Sequence, residues 1–346
     1  MQQILDRYAS HILNERGFTP ATVDKYIGNL HIIFRKLEIK SLADFDPAKI
    51  SQEWQYVFWD TVQAGRRLAD ATRRSYLVAL KSFLLYLEEH GYPIPRGTAA
   101  NIRLPRPTEV FYEGLNKDEQ KKLREYLCFN LKSIVQLRNT ALIFFLWSTG
   151  CRISEALQLN VHADGYIYTD DPTMRSGDFE VNGKDVYVEI NGKGKKHRKI
   201  VVTPEAVAYI NFYLEQRWQR EKIKSPILFL NHYRRDHHTR LSRTGSYSVI
   251  MRVLEAAGID KPRGLGTHLL RYTAIDTWVD MGLPITQIIA MTGHSSSETL
   301  DHYIRRRKER TRIFAREANA IRTPTVDKEI GKFEDILIKR YVRTKD

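Results

Sequence analysis

The feature that most restricts this chain is a break in its patterning. From Gly91 to Val110 the sequence runs GYPIPRGTAANIRLPRPTEV, with prolines at 93, 95, 105 and 107 and no apolar periodicity. Proline removes a backbone donor and disfavours helix in the residue before it. The stretch therefore reads as an extended linker, and the pattern differs on its two sides. Before it, the spacing is helical throughout. Ile4, Leu5, Tyr8, Ile12 and Leu13 recur at helix spacing until Gly17, and Thr19 with Pro20 opens a second helix that turns Val23, Ile27, Leu30 and Phe34 inward. Asp46-Pro47 starts a third in the same way. A fourth spans about Asp70 to His90, with Leu77, Leu80, Phe83, Leu84 and Leu87 as its stripe and Gly91 as its stop.

After the break the pattern is mixed. Asn116 followed by Glu119 is a capping-box spacing, and Leu137 to Trp147 reads as a buried helix ending at Thr149-Gly150. Val186, Val188 and Ile190 then alternate, Asn191-Gly192 signals a tight turn, and Ile200-Val201-Val202 returns as the next strand. Asn182-Gly183 offers a second hairpin turn, with Phe179 and Val181 on its first arm. Such short connections leave no room for crossover helices, so the sheet is small and antiparallel. From Pro204 the pattern is helical again.

The expected fold class is mainly α with a small antiparallel β-sheet, in two domains. The units are a helical one over 1–95, a linker over 96–110, a mixed unit over 111–322 and a tail helix over 323–346. At 346 residues and 42% hydrophobic, the chain carries enough apolar surface for two real cores. The apolar run Ala141–Trp147 is far short of a bilayer span of about 30 Å. Charges in the N-terminal stretch MQQILDRYASHILNERG do not suit a signal peptide, which points to a cytoplasmic protein with no membrane partner. Cys128 and Cys151 stand in no metal or redox spacing, so no cofactor and no metal are expected. The formal charge is +14, and 15 Lys/Arg against 12 Asp/Glu in residues 1–110 leave most of that surplus to the second unit. A surplus of this size favours a polyanionic partner, nucleic acid before membrane.

Four short signals follow in order: Thr149-Gly150-Cys151-Arg152-Ile153-Ser154-Glu155, then Gly192-Lys193-Gly194-Lys195-Lys196, then His268-Leu269-Leu270-Arg271, then Gly293-His294 with Tyr303 nine residues on. Each alone has an ordinary explanation as a helix cap, a hairpin tip or a surface side chain. Together they suit phosphodiester cleavage without a metal. That reaction needs a nucleophile, cations on the non-bridging oxygens and an acid for the leaving 5' oxygen. Arginines grip phosphate oxygens with a planar fork that lysine lacks. A phenol with a pKa of about 10 needs a base or an electropositive site to react at neutral pH.

This constellation resembles the tyrosine recombinases, or phage integrase family, including their Xer-like members. The first unit adds Arg16-Gly17-Phe18-Thr19-Pro20-Ala21-Thr22 and Tyr26, which resemble the family's helical core-binding domain, and the mixed unit then corresponds to its catalytic domain. The resemblance implies a site-specific recombinase that cuts and rejoins duplex DNA through a 3'-phosphotyrosyl intermediate and a Holliday junction. Its product would be integration or excision of a mobile element, or dimer resolution. It implies Tyr303 as nucleophile, Arg152 and Arg271 as phosphate clamp, Lys193 as general acid, His268 as proton partner of the tyrosine, His294 as a phosphate ligand and Glu155 as the acidic residue that orients them. Lys195 and Lys196 compete with Lys193 for the acid role.

Further DNA contacts are expected from Arg66, Arg67, Arg73, Arg74 and Lys81 in the first unit and from Lys195, Lys196, Arg240, Arg243 and Arg305 in the second. The implied partners are a duplex with a specific site, a homo-tetramer on two duplexes and an accessory directionality protein, at the nucleoid. Tyr272 stands where the family usually has His. The stretch from about Val161 to Phe179 exceeds compact members and reads as an inserted hairpin or loop, and its Asp170-Asp171 reads as a solvated turn. His232, His237 and His238 lie among arginines and read as a DNA-backbone loop before they read as metal ligands. The tail stripe Val326, Ile330, Phe333 and Leu337 needs a surface, either in the same chain or in a neighbouring protomer. A type IB topoisomerase shares this chemistry. A metal-dependent nuclease and a non-catalytic DNA binder are the remaining readings.

Overall fold

The structure, a computed structural model, describes residues 1–44, 62–63, 66–106, 113–162, 175–192, 197–232, 239–261, 265–293 and 335–337. The chain divides into two compact units, Met1–Val110 and Phe111–Asp346. Among the described residues no helix is long and apolar enough to cross a membrane.

The first unit is built on α1 (Gln2–Asn14), α2 (Pro20–Lys36) and α3 (Asp70–Glu89). Thr19 caps α2 by accepting from the Thr22 N–H, and Pro20 sits in its first turn, as the sequence predicts. Leu5, Tyr8 and Ile12 meet Leu30 and Ile33 and the stripe Leu77, Leu80, Phe83, Leu84 and Leu87 in one core. Buried Tyr8 keeps its hydroxyl satisfied by donating to Ser82 Oγ at 2.9 Å. A third helix from Asp46-Pro47 falls outside the described residues. Arg66 and Arg67 lie on β2 (Arg66–Arg67), which pairs antiparallel with β1 (Val62–Gln63).

The proline-rich stretch differs from an extended linker over much of its length. Ala99 is fully buried and Ile102 is 2% exposed, both in the core of the first unit. The Ala99 N–H donates to Glu88 Oε1 at 2.8 Å, and Arg74 Nη1 donates to the Pro105 carbonyl at 2.6 Å. Prolines bar this segment from regular structure without preventing its few apolar side chains from docking on α3.

In the second unit, α4 (Lys117–Phe129) opens with the expected capping box of Asn116 and Glu119. The helix α5 (Ile134–Thr149) is buried continuously from Thr140 to Leu146, so this stretch packs on every side. After the short α6 (Ile153–Ala156) comes a sheet of β3 (Arg175–Ser176), β4 (Phe179–Asn182), β5 (Asp185–Asn191) and β6 (His197–Val202), antiparallel in chain order. Val186, Val188 and Ile190 of β5 and Ile200 and Val202 of β6 face the core. The β5–β6 register pairs Asn191 with His197, which leaves residues 192–196 to connect the two strands. Next come α7 (Pro204–Gln219), α8 (Arg243–Ala256), α9 (His268–Asp280) and α10 (Ile285–Thr292). Both α7 and α9 pack on α5. Of the tail stripe only Leu337 is described, and it is buried within the core of its own unit.

Candidate active site

Helix α5 ends at Gly150 because the chain there turns left-handed, with φ +57°, a conformation that costs other residues energy. A Cβ at this position would also stand 2.8 Å from Trp278 Cη2 on α9. The tight turn carries the chain through buried Cys151 to Arg152, the cap of α6. Burial pushes the Cys151 thiol up to about 12, so it stays a thiol and is no nucleophile at neutral pH.

One helical turn later, Glu155 folds back. Its Oε2 accepts the Arg152 backbone N–H at 2.8 Å, and its Oε1 accepts Arg152 Nη1 at 3.1 Å. The Glu155 side chain is 5% exposed, whereas that of Arg152 is 33% exposed, so the carboxylate is the inner member of the pair. Burial pushes the Glu155 carboxyl up, but hydrogen bonds from Arg198 and from the Arg152 backbone outweigh it and hold it below its usual range.

On α9, His268 and Arg271 lie one turn apart on one face. Arg271 is 4% exposed, and its fork joins two helix ends: Nη1 donates to the Gly150 carbonyl and Nη2 to the Thr292 carbonyl, each at 2.8 Å. Carbonyls at a helix C-terminus lack helical partners and carry the negative end of the dipole, which suits a cation. Burial, and then the charge of Arg152, lower Arg271 to about 10, which leaves it cationic at pH 7. His268, the first residue of α9, is exposed overall but partly desolvated. That burial, followed by the charges of Arg271, Arg152 and Arg243, lowers its pKa below the ordinary 6.5. The imidazole is therefore neutral at pH 7 and able to accept a proton.

Arg152, Glu155, His268 and Arg271 are thus brought together. Lys193, Lys195, Lys196, His294, Tyr303 and Arg305 lie outside the described residues. Arg243, the first residue of α8, is exposed and close enough to act on His268. Of the other expected phosphate contacts, Arg73, Arg74, Lys81 and Arg240 are engaged within the chain. Arg240 donates to the Leu157 and Leu159 carbonyls and to Asn160 Oδ1. Arg73 is 7% exposed and pairs with Asp70 at 2.8 Å, and Lys81 reaches the Ile102 carbonyl at 3.5 Å. Of the histidine group only His232 is described, and its Nε2 shares a hydrogen bond with the Tyr213 hydroxyl. Among the described residues no three His, Cys, Asp or Glu side chains gather as a metal site.

Sequence reasoning missed Arg198. The signal is in the alternation of β6: Arg198 shares the inward face with Ile200 and Val202, and a cation at an inward strand position needs a buried partner. That partner is Glu155, reached by both terminal nitrogens at 3.2 and 2.7 Å.

The family model of the phage integrase family matches residues 114–310, more than half of the chain. Among curated proteins, the tyrosine recombinase XerD of Listeria monocytogenes is 24% identical over 307 residues, covering 88% of this chain and 94% of that one. The XerD of Bifidobacterium longum is 26% identical over 310 residues, covering 87% and 92%. Among solved structures, XerH bound to a palindromic difH substrate in a post-cleavage complex aligns with TM-score 0.64 at 22% identity, covering 85% of this chain and 78% of that one. A lambda integrase tetramer bound to a Holliday junction aligns with TM-score 0.56 at 18% identity, covering 85% and 74%. The family match takes in the whole of the arginine and histidine cluster built above, and on that ground the chain belongs to the phage integrase family, the tyrosine recombinases, as an enzyme that cuts and rejoins DNA.

Proposed function

We propose that this chain recombines DNA at a specific site by forming a 3'-phosphotyrosyl intermediate on Tyr303. The observation that carries the reading is the convergence of Arg152 and Arg271 beside a neutral His268. Arg152 and Arg271 hold the non-bridging oxygens of the scissile phosphate. His268 takes the phenolic proton as the Tyr303 oxygen attacks phosphorus, and the 5' oxygen leaves with a proton from Lys193 or from its neighbours Lys195 and Lys196. His294 hydrogen-bonds the phosphate. The freed 5' hydroxyl then attacks the phosphotyrosine of a partner duplex, giving a Holliday junction within a tetramer. The bond energy is conserved in the covalent intermediate.

In this reading residues 1–95 form the core-binding domain, 111–322 the catalytic domain and 323–346 a tail that docks on its own unit, as the burial of Leu337 supports. Arg243 supplies a backbone contact beside the cleaved phosphate. Integration or excision of a mobile element and resolution of dimers both follow from this chemistry, with an accessory protein setting direction.

The test is covalent capture. Wild-type protein incubated with a random pool of nicked suicide duplexes should yield a protein–DNA adduct enriched for one sequence, and Tyr303→Phe should yield none. Adduct formation spread over all sequences, with relaxation of supercoils, would instead indicate a type IB topoisomerase. Cleavage that survives Tyr303→Phe and is lost in EDTA would refute the reading.

A further inference from the structure

We propose that Arg198 is a positioning residue for strand cleavage: through Glu155 it sets the guanidinium of Arg152, and through the Met291 carbonyl it fixes the end of α10 that leads to His294. The proposal rests on the recombinase reading above and extends it to a residue with no assigned role.

Arg198 sits on β6 with its side chain 10% exposed, behind Glu155 at 5% and Arg152 at 33%. The three form a relay from the core outward. Its two terminal nitrogens occupy both oxygens of Glu155, and Oε1 also accepts Arg152 Nη1. A carboxylate held from behind in this way cannot swing outward with Arg152, so the angle at which Arg152 meets a phosphate is fixed from below. Other charges near Glu155 come from Arg271 on α9, which senses it.

The third nitrogen makes the second connection. Arg198 Nε donates to the Met291 carbonyl at 3.0 Å, one residue before the Thr292 carbonyl held by Arg271. Two guanidiniums from different elements thus secure the last turn of α10. The chain makes room for this contact at Gly293, where φ is +67° and a Cβ would lie 2.9 Å from Arg198 Nη1. The contacts close into a ring: Arg152 to Glu155, Glu155 to Arg198, Arg198 and Arg271 to the end of α10, and Arg271 to Gly150, two residues before Arg152.

The experiment uses full-length protein and the nicked duplex recovered by capture with the wild type. Affinity, the single-turnover rate of adduct formation and the melting transition are measured for Arg198→Gln, Arg198→Lys, Glu155→Gln and the double variant Glu155→Gln/Arg198→Gln. We expect Arg198→Gln to bind within about threefold of wild type while cleaving at least about tenfold more slowly, the loss of a charge-assisted hydrogen bond acting on the transition state. Arg198→Lys should recover part of the rate, since an ammonium neutralises Glu155 without spanning to Met291. The double variant should cleave no more slowly than the slower single variant, because both act through one relay. A wild-type rate for Arg198→Gln, a loss confined to affinity, or single losses that multiply in the double variant would overturn the proposal. Should Arg198→Gln lack a cooperative melt, Arg198→Lys decides: a slower rate at unchanged affinity supports the role, and an unchanged rate refutes it. Failure of the wild type to form any adduct refutes the recombinase reading itself.

Discussion

Replacing Glu155 with glutamine tests the physical argument at its centre. The carboxylate accepts four hydrogen bonds, from the Arg152 N–H, Arg152 Nη1 and both terminal nitrogens of Arg198. A glutamine amide offers one acceptor oxygen, and its NH2 would face two donors whichever way it is turned. Two of the four bonds are lost and the negative charge between two guanidiniums disappears. Hydrogen bonds to charged groups contribute about 1.5–3 kcal/mol each, and breaking a buried pair costs about 3–5 kcal/mol. The Glu155 side chain is 5% exposed, so solvent replaces little of this. Neighbouring Arg152 does reach solvent, which places the expected loss near the lower figure, about 3 kcal/mol at pH 7. Urea denaturation of the full chain measures it. The pH dependence adds a second condition. Because the folded-state pKa of Glu155 lies below its ordinary 4.5, its contribution is complete above that value and is lost as pH falls through the folded pKa. The gap between wild type and Glu155→Gln should therefore close on acidification below about pH 4.5 and stay constant above it. A loss under about 1 kcal/mol at pH 7, or a gap indifferent to acid, would show that the carboxylate is not the keystone of this cluster.

The other predictions concern neighbouring groups. Gly150→Ala forces a β-carbon into a left-handed turn and against Trp278, so about 1–3 kcal/mol of stability should be lost in the same urea assay. Because the Gly150 carbonyl anchors Arg271, adduct formation should slow with it. The adduct rate should hold down to pH 6.5 and decline only at more acid values, since burial and three arginines keep His268 neutral. His268→Gln should remove that acid limb from the rate profile. Arg240→Gln should lower stability by about 1–3 kcal/mol by removing the charged hydrogen bonds to the Leu157 and Leu159 carbonyls and to Asn160, and leave the salt dependence of DNA binding unchanged in a titration against potassium chloride.

Much of this arrangement is legible in the residues. The caps at Thr19, Asn116 and Gly150 are local chemistry, and local chemistry survives into the structure. The same holds for the alternation of Val186, Val188 and Ile190, whose period admits only one inward face. Pairing across six positions, from Val186↔Val202 to Asn191↔His197, leaves residues 192–196 to join β5 and β6, where the glycine-lysine motif signals a hairpin tip. The proline-rich segment is the exception. Absence of periodicity excludes helix and strand, but it says nothing about whether Ala99 and Ile102 find a groove on α3. Arg198 was hidden by distance: its partner Glu155 lies 43 positions away, and only the inward register of β6 hinted at it.

The same long-range contacts change the meaning of the positive charge. Read from composition, a surplus concentrated after residue 110 is an undivided phosphate-binding capacity. In the fold it separates into two populations. Arg138 is fully buried against the Leu230 carbonyl at 2.9 Å, and Arg217, 2% exposed, holds the carbonyls of Ser225 and Ile227 at 2.8 and 2.7 Å. Arg240 does the same for Leu157 and Leu159. These carbonyls belong to chain around residues 157–160 and 225–230, outside the named strands and helices, and a guanidinium fork reaches two at once. Such cations release no counterions when DNA binds, so the salt dependence of binding reports only the outward population. In the proposed mechanism Arg271 belongs to both. Its grip on Gly150 and Thr292 immobilises the group before any phosphate arrives, so its orientation is settled during folding instead of at the moment of cleavage.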